Sequence, residues 1–506
     1  MCIRDSFHGG TVAAGQAAIV TAINRCTGVY ERDLCVRLVL VANNSSIVYT
    51  NASTDPYTNT NGGAMLTQNQ TACNNVIGTA NYDIGHVFST GGGGVAFLGC
   101  VCNAGNKAGG VTGSPSPTGD PFWIDYVVHE MGHQFGAAHS FNSETGACGG
   151  NRSGTSAYEI GGGTTIMSYA GICGTDDVQP NSDAMFIAQS YDQIRAFIVG
   201  GSSSCRVNTA TGNIVPAFNV GATVVIPKGT AFTLTPTSAT DANGDTLTFS
   251  WEQHDLGIAQ TLAAADNGTS PIFRAFSPTT ALSRTFPVYS SVLSGTLARG
   301  EKYPALARNM VARLVVRDNR SGGGGVNFGN RTVTINGTAG PFALTSPITN
   351  VAWAAGPQTV TWNVAGTSAA PINTANVKIL LSTDSGLTWP TTLLATTPNS
   401  GTAAVTIPNT PSTTARIRIE AIANVYFDVS NVNFRITSAA GPNPPTNVVA
   451  NPNPVCRGSS TTLSGTVPAN TAIDWYTNSC GGTLAGTGPT LSVSPTTSAF
   501  YYAPAR

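Results

Sequence analysis

Residues 8 to 25 contain few helix breakers after Gly15 and predict a helix, and Leu34–Val41 is an apolar run of strand length. Gly62 to Gln70 and the residues after them suit a loop and a short helix. Val95–Val101 predicts a second strand, flanked by Gly91–Gly94, which permit close backbone approach. A further helix should begin near Asp120-Pro121, with Asp as cap and Pro in the first turn, and Tyr191–Val199 predicts a closing helix. After Cys205 the pattern changes: Thr, Ser, Val and Pro take over. Alternating apolar runs then recur between Gly, Asn and Asp turns, which predicts successive β-sandwiches.

Composition narrows the setting. Only 10% of the residues are charged and the net charge is -1, so neither nucleic acid nor an anionic membrane surface is an implied partner. No stretch reaches the roughly 18 apolar residues of a membrane span. Eleven cysteines point to an oxidising compartment. Met1-Cys2-Ile3-Arg4-Asp5-Ser6 has neither an apolar core nor a small-residue cleavage site. It reads as a non-native scar over residues 1–6 rather than a signal peptide.

The densest chemistry lies in His129-Glu130-Met131-Gly132-His133-Gln134-Phe135-Gly136-Ala137-Ala138-His139. On a helix, residues i and i+4 share a face, so His129 and His133 can hold one Zn2+ with Glu130 beside it. Gly136 falls where the helix must stop and turn, since Gly takes a left-handed conformation cheaply. The returning chain then offers His139 as a third ligand. Three neutral imidazoles leave the ion an open position for water, and Glu130 is placed to act as general base. His86 reads as structural, because three ligands are already supplied.

Downstream, Thr164-Thr165-Ile166-Met167-Ser168-Tyr169 puts Met167 in a short apolar turn that can floor the imidazoles. H-E-x-x-H-x-x-G-x-x-H followed by such a Met-turn is the metzincin signature. With Gly94-Val95-Ala96-Phe97-Leu98-Gly99, Cys148 and Ile166–Cys173, the chain resembles the reprolysin (adamalysin-like) branch of the metzincin zinc metalloproteases, in the form found in secreted bacterial multidomain proteins. The resemblance covers residues 7–205. It implies an α/β (α+β) catalytic domain, an extended polypeptide substrate laid along the Val95–Val101 strand, and disulfides Cys148–Cys173 and Cys102–Cys205. Cys26 with Cys35 and Cys73 with Cys100 are left over as guesses, since connectivity does not follow from sequence. The resemblance also implies a signal peptide, a propeptide and a first sheet strand ahead of this domain, none of which is recognisable here. Tyr169 occupies the position from which astacin and serralysin tyrosines reach the metal. It is a candidate fifth ligand or oxyanion stabiliser, the alternative being a tyrosine packed under the site.

Three all-β modules are expected to follow. In the first (206–339, PKD- or cadherin-like), Asp241, Asn243 and Asp245, joined by Asp318, read either as Ca2+ ligands or as plain turn chemistry. An EF-hand ending at Glu252 fails, because the sixth loop position is Thr246 rather than Gly. In the second (340–438, fibronectin-like), Ser382-Thr383-Asp384-Ser385-Gly386-Leu387-Thr388-Trp389 matches an Asp-box. One copy predicts a hairpin rather than a sialidase propeller. A stiff linker (439–448) leads to an Ig-like module (449–506), with Trp475 near a Cys456–Cys480 bridge and little room for a last strand.

The expectation is a secreted or cell-surface zinc endopeptidase with β-sandwich modules as spacers or capture elements for a matrix or surface ligand. The competing class is an adhesin with an inactive protease-like domain. It is disfavoured because all four motif positions and Met167 are intact.

Overall fold

A computed structural model describes residues 7–201, 204–439, 443–467 and 471–506; Met1–Ser6 and Ala440–Pro442 of the expected linker lie outside them. The chain divides into two compact units. One runs to Asn350 and takes in Thr359–Ala403 and Thr414–Asn433; the other holds Val351–Gln358, Ala404–Thr413 and everything from Phe434.

In the first unit, α1 spans Val12–Leu34, capped by the Thr11 hydroxyl, which accepts from the Ala14 N–H at 3.2 Å. It outruns the predicted 8 to 25 because burial of Cys26, Val29 and Tyr30 outweighs the helix cost of Gly28. Leu34–Val41 forms no strand: Leu34 ends α1, Cys35 turns left-handed at its C-cap, and the residues to Val41 join no ladder. Val36, Leu38 and Leu40 pack inward while Val39 faces solvent, so the segment shows strand alternation without a partner. The predicted short helix is α2 (Gly62–Val76).

Three strands follow: β1 (Val87–Ser89), β2 (Gly93–Ala96) and β3 (Gly110–Gly113), in the order β1-β3-β2. β1 is parallel to β3 and β2 antiparallel, with Val95 opposite Val111. β2 stops short of the predicted Val101 because the chain bends to cap the next helix. The Gly99 and Cys100 N–H groups donate to the carbonyls of His133 and Gln134, at 2.8 and 2.9 Å, satisfying acceptors that a helix C-terminus leaves open.

That helix starts as α3 (Asp120–Phe122), passes through a π-helical stretch (Trp123–Val128) and ends as α4 (His129–Gln134). Pro121 occupies the first turn, but Asp120 is not the cap. Gly119 is, and the Asp120 carboxylate instead pairs with Arg25 of α1 at 2.9 and 3.0 Å. α5 (Ala188–Val199) closes the region.

The core joins Ile19, Ile23 and Tyr30 of α1 to Val127, Val128 and Met131, to Met167, and to Ile194 of α5. It also includes Val315 and Val326, which lie on strands Arg308–Arg317 and Val326–Asn336. Residues on either side of the expected 205/206 boundary therefore share one hydrophobic core. A buried ion pair fastens the same seam. Arg317 Nε lies 3.0 Å from Asp33 Oδ1, and Arg317 also donates to the Phe186 carbonyl and the Ser250 hydroxyl. Glu252, the rejected EF-hand position, is buried on strand Thr248–Gln253 and accepts the Ala188 N–H at 2.8 Å.

Strands Val224–Pro227, Val326–Asn336, Arg308–Arg317 and Thr248–Gln253 form one sheet in that order. Ala231–Leu234 pairs with Arg284–Phe286 on one side and with Tyr426–Val429 on the other, Tyr426 opposite Phe232. A strand from beyond the expected 339/340 boundary thus belongs to a sheet begun before it. The Asp-box forms the expected hairpin between strands Asn376–Ser382 and Thr391–Pro398. Asp384 accepts from the Thr388 N–H and hydroxyl, while the Trp389 indole donates to the Tyr289 hydroxyl at 2.8 Å.

In the second unit, strand Thr446–Asn451 begins inside the expected linker and pairs with Thr461–Thr466. Leu463, Ile473 and Trp475 form its core. A last strand does fit: Tyr501 and Tyr502 pair with Thr477 and Tyr476, and Ala505 bridges Ile473.

Cys102–Cys205 and Cys148–Cys173 are disulfides. The expected Cys456–Cys480 bridge is not formed; both are exposed thiols on turns outside the strands that carry the core, whereas an Ig-type bridge joins facing strands. Cys26 and Cys35 cannot pair either. One lies within α1 and the other at its C-cap, about 13 Å apart at 1.5 Å per residue. Cys100 is a buried thiol beside Gln134 and is not joined to Cys73. Among the described residues, no helix is long and apolar enough to cross a membrane.

Candidate metal centre

His129 and His133 open and nearly close α4, one turn apart. The helix ends as the Gly136 N–H donates to the His133 carbonyl and the Ala137 N–H to that of Gly132; Gly136 itself has φ +92°, a conformation that favours Gly. The turn brings His139 back. Nε2 of His133 lies 3.1 Å from Nε2 of both His129 and His139, close to the edge of roughly 3.3 Å that three nitrogens share around one tetrahedral Zn2+.

The other nitrogen of each ring is already engaged. His129 Nδ1 lies 2.7 Å from the Ile166 carbonyl, His133 Nδ1 2.6 Å from that of Ala137, and His139 Nδ1 2.6 Å from that of Asn151. A carbonyl only accepts, so each Nδ1 carries the proton and each Nε2 presents a lone pair to a common point. Burial lowers all three pKa values, that of His133 to about 4, and the neighbouring rings lower those of His129 and His133 further. Neutral imidazoles are what a metal needs.

Glu130 is 6% exposed, and its Oε2 has no hydrogen-bond partner. Burial alone pushes its pKa up to about 8. Its carboxylate lies against the backbone of Gly94 on β2, where a Cβ would come within 2.1 Å of Oε1. Met167 is fully buried, with its sulfur against Gly132, where a Cβ would fall 2.4 Å away. Any side chain at position 132 would therefore displace the methionine. The Tyr169 ring packs 4.6 Å from His139, 5.6 Å from His129 and 4.7 Å from Phe141. Burial, aided by Glu130, raises its hydroxyl to about 12, so it remains a donor.

Residues 3–194 match the family described as Metallo-peptidase family M12B Reprolysin-like. The chain carries a zinc metallopeptidase domain. Residues 442–506 match an Ig-like domain described as CHU_C associated. No curated protein matches the chain. Among solved structures, a nucleoside hydrolase-related protein from Saccharophagus degradans aligns at 18% identity over 29% of this chain and 30% of its own, with a TM-score of 0.16. Fibronectin(III)-like modules of CbhA from Clostridium thermocellum align at 12% identity over 44% of this chain and 95% of theirs, with a TM-score of 0.15. At such scores the architecture rests on the chain's own strand pairings.

Within the metallopeptidase domain, His86 stands apart from the triad. Gln134 donates to the Gly85 carbonyl, accepts from His86 Nδ1 at 2.8 Å, and leaves His86 Nε2 to the Thr112 hydroxyl at 2.8 Å. Asp241, Asp245 and Asp318 do come together, each offering an oxygen within 4.8 Å of the others. Asp241 accepts the N–H groups of Asn243 and Asp245, and Asn243 accepts that of Ile214. Asp318 accepts from Arg320, Gly325 and Asn213, and Asp245 pairs with Arg320 at 3.2 Å. These are the bonds of a turn, although Asp241 Oδ2 is buried without a hydrogen-bond partner.

Three contributors were not read from the sequence: the carbonyls that fix the rings, Gln134 behind the helix, and Glu159 behind the Met-turn. Carbonyls leave no sequence signal. Glu159 has one only in hindsight, as an acid in an otherwise uncharged Gly- and Thr-rich loop.

Proposed function

We propose that this chain is a secreted or cell-surface endopeptidase that cleaves extended polypeptides, with His129, His133 and His139 holding Zn2+ and Glu130 acting as general base. The observation that carries the reading is the convergence of three Nε2 atoms whose Nδ1 partners are all backbone carbonyls. Zinc, when bound, supplies Lewis-acid polarisation of the scissile carbonyl and acidifies a water to a pKa of about 7.

The protein's own groups do the rest. β2 is an edge strand, so its outer side offers unpaired backbone groups to an extended peptide by strand addition. Glu130, buried and without another partner, takes the proton from the attacking water and returns it to the leaving amine. Tyr169, protonated beside His139, is the candidate donor to the developing oxyanion. Two disulfides support an oxidising destination. The C-terminal Ig-like unit is the element available for a matrix or surface ligand.

Metal analysis with a casein assay tests the reading. One zinc per chain and cleavage abolished by chelator, then restored by Zn2+, is expected. Stoichiometric binding to a matrix protein without cleavage would favour an adhesin instead.

A further inference from the structure

Glu159 takes no part in the chemistry described above, yet it is almost fully buried at the joint between the two segments that frame the metal centre. One segment carries His139 and continues into Ser140; the other is Thr164–Met167. They touch directly, the Ser140 N–H donating to the Met167 carbonyl at 3.0 Å.

The Glu159 carboxylate binds both. Its Oε1 accepts from the Ser140 hydroxyl at 2.6 Å and the Thr165 hydroxyl at 2.5 Å. Its Oε2 accepts from the N–H groups of Thr164 and Thr165 at 2.7 and 3.1 Å, with the Thr164 hydroxyl 3.2 Å away. The Glu159 backbone adds a bridge to Phe141, its N–H donating to the Ser140 carbonyl and its carbonyl accepting from Asn142. Thr165 precedes Ile166, whose carbonyl orients His129; Ser140 follows His139. A single carboxylate thus sets the spacing between the acceptor that aims one imidazole and the backbone that carries another. The first β-module supports this from behind. The Tyr158 ring stacks on His254 at 4.1 Å, and the Thr164 hydroxyl is 3.2 Å from the Ala275 carbonyl.

We propose that Glu159 is a positioning residue for zinc, fixing the convergence of His129 and His139 by tying the third-histidine segment to the Met-turn. The inference rests on the reading of the three histidines as zinc ligands. Outer partners of this kind typically account for about 10–100-fold in metal affinity.

The test is zinc affinity by chelator competition, together with the melting temperature of the full chain with and without zinc. Glu159→Ala should bind zinc about 10–100-fold more weakly and lose most of the zinc-dependent rise in melting temperature, which follows affinity. Glu159→Gln should stay within about threefold of wild type. Its carbonyl can keep the two N–H groups, and its amide can donate to hydroxyls that turn round to accept. A residue that merely stabilised the fold would lower both melting temperatures equally and leave the increment intact. That outcome, with wild-type zinc affinity in Glu159→Ala, overturns the inference alone; a wild-type chain that takes up no zinc overturns the site reading and this inference with it. If Glu159→Ala does not fold, Thr165→Val carries the test, since it removes one hydroxyl donor and keeps the N–H. Weaker zinc binding supports the proposal and unchanged binding overturns it.

Discussion

Two clusters in this chain bring three metal-capable side chains within 4.8 Å of one another: the imidazoles of His129, His133 and His139, and the carboxylates of Asp241, Asp245 and Asp318. Proximity is the same in both, and the surroundings are not. Around the histidines, each second nitrogen is fixed by a carbonyl and each first nitrogen is left facing its neighbours. Around the aspartates, backbone N–H groups, Asn213 and Arg320 already engage the cluster. The two clusters therefore differ in how many ligand atoms are left open: all three Nε2 atoms face one another, whereas most of the aspartate oxygens are engaged and Asp241 Oδ2 is the one left buried without a partner. His86 is the intermediate case, a buried histidine with both nitrogens engaged and none free.

The largest expected effect lies at the histidine cluster. Glu130→Gln should keep the zinc and lose about 10²–10⁴-fold in turnover, the range for general base catalysis. Wild-type turnover of a denatured-protein substrate by this variant would remove Glu130 from the mechanism.

His86 gives a pH-dependent test of the intermediate case. Burial lowers its folded pKa to about 4, below the ordinary 6.5, so between these values the unfolded chain binds the extra proton. Its contribution to stability is fully present above pH 6.5 and is lost as pH falls towards 4, up to about 3 kcal/mol. Denaturant titrations of wild type and His86→Gln across that window should show a shallower pH slope in the variant. Equal slopes would mean that burial does not hold the His86 imidazole neutral across that window.

The smallest effect belongs to the aspartates. Asp245 and Arg320 are both about one-third exposed, so Asp245→Asn should cost no more than about 1 kcal/mol, and added Ca2+ should leave the wild-type melting temperature unchanged. A Ca2+-dependent rise that Asp245→Asn abolishes would erase the contrast between the two clusters.

Legibility followed the range of the interactions involved. The histidine-bearing helix, its Gly136 turn and the Asp-box hairpin are local, and their residue spacing already contains their geometry. Strands fared worse. β1 and β3 were not anticipated, Val95–Val101 lost its second half to the capping of α4, and Leu34–Val41 kept the alternation of a strand without one. A strand is completed by a distant neighbour, and its own residues do not name that neighbour. The packing between modules is hidden for the same reason. Val315 and Val326 look like ordinary strand residues until they are found in the core of the peptidase, and Tyr426 until it is found opposite Phe232.

By itself the sequence determined the reagents: three imidazoles, a carboxylate and a methionine, at offsets that one helix, one turn and one loop convert into proximity. The tertiary structure decided their aim. It brought the carbonyls of Ile166 and Asn151 to His129 and His139, tied Ser140 to Thr164 and Thr165 through Glu159, and fused the first β-module to the peptidase through Arg317 and Asp33. The physical reason is that residue type and spacing specify which donors a segment holds. Which way they point depends on hydrogen-bond partners and packed surfaces that only the folded chain supplies.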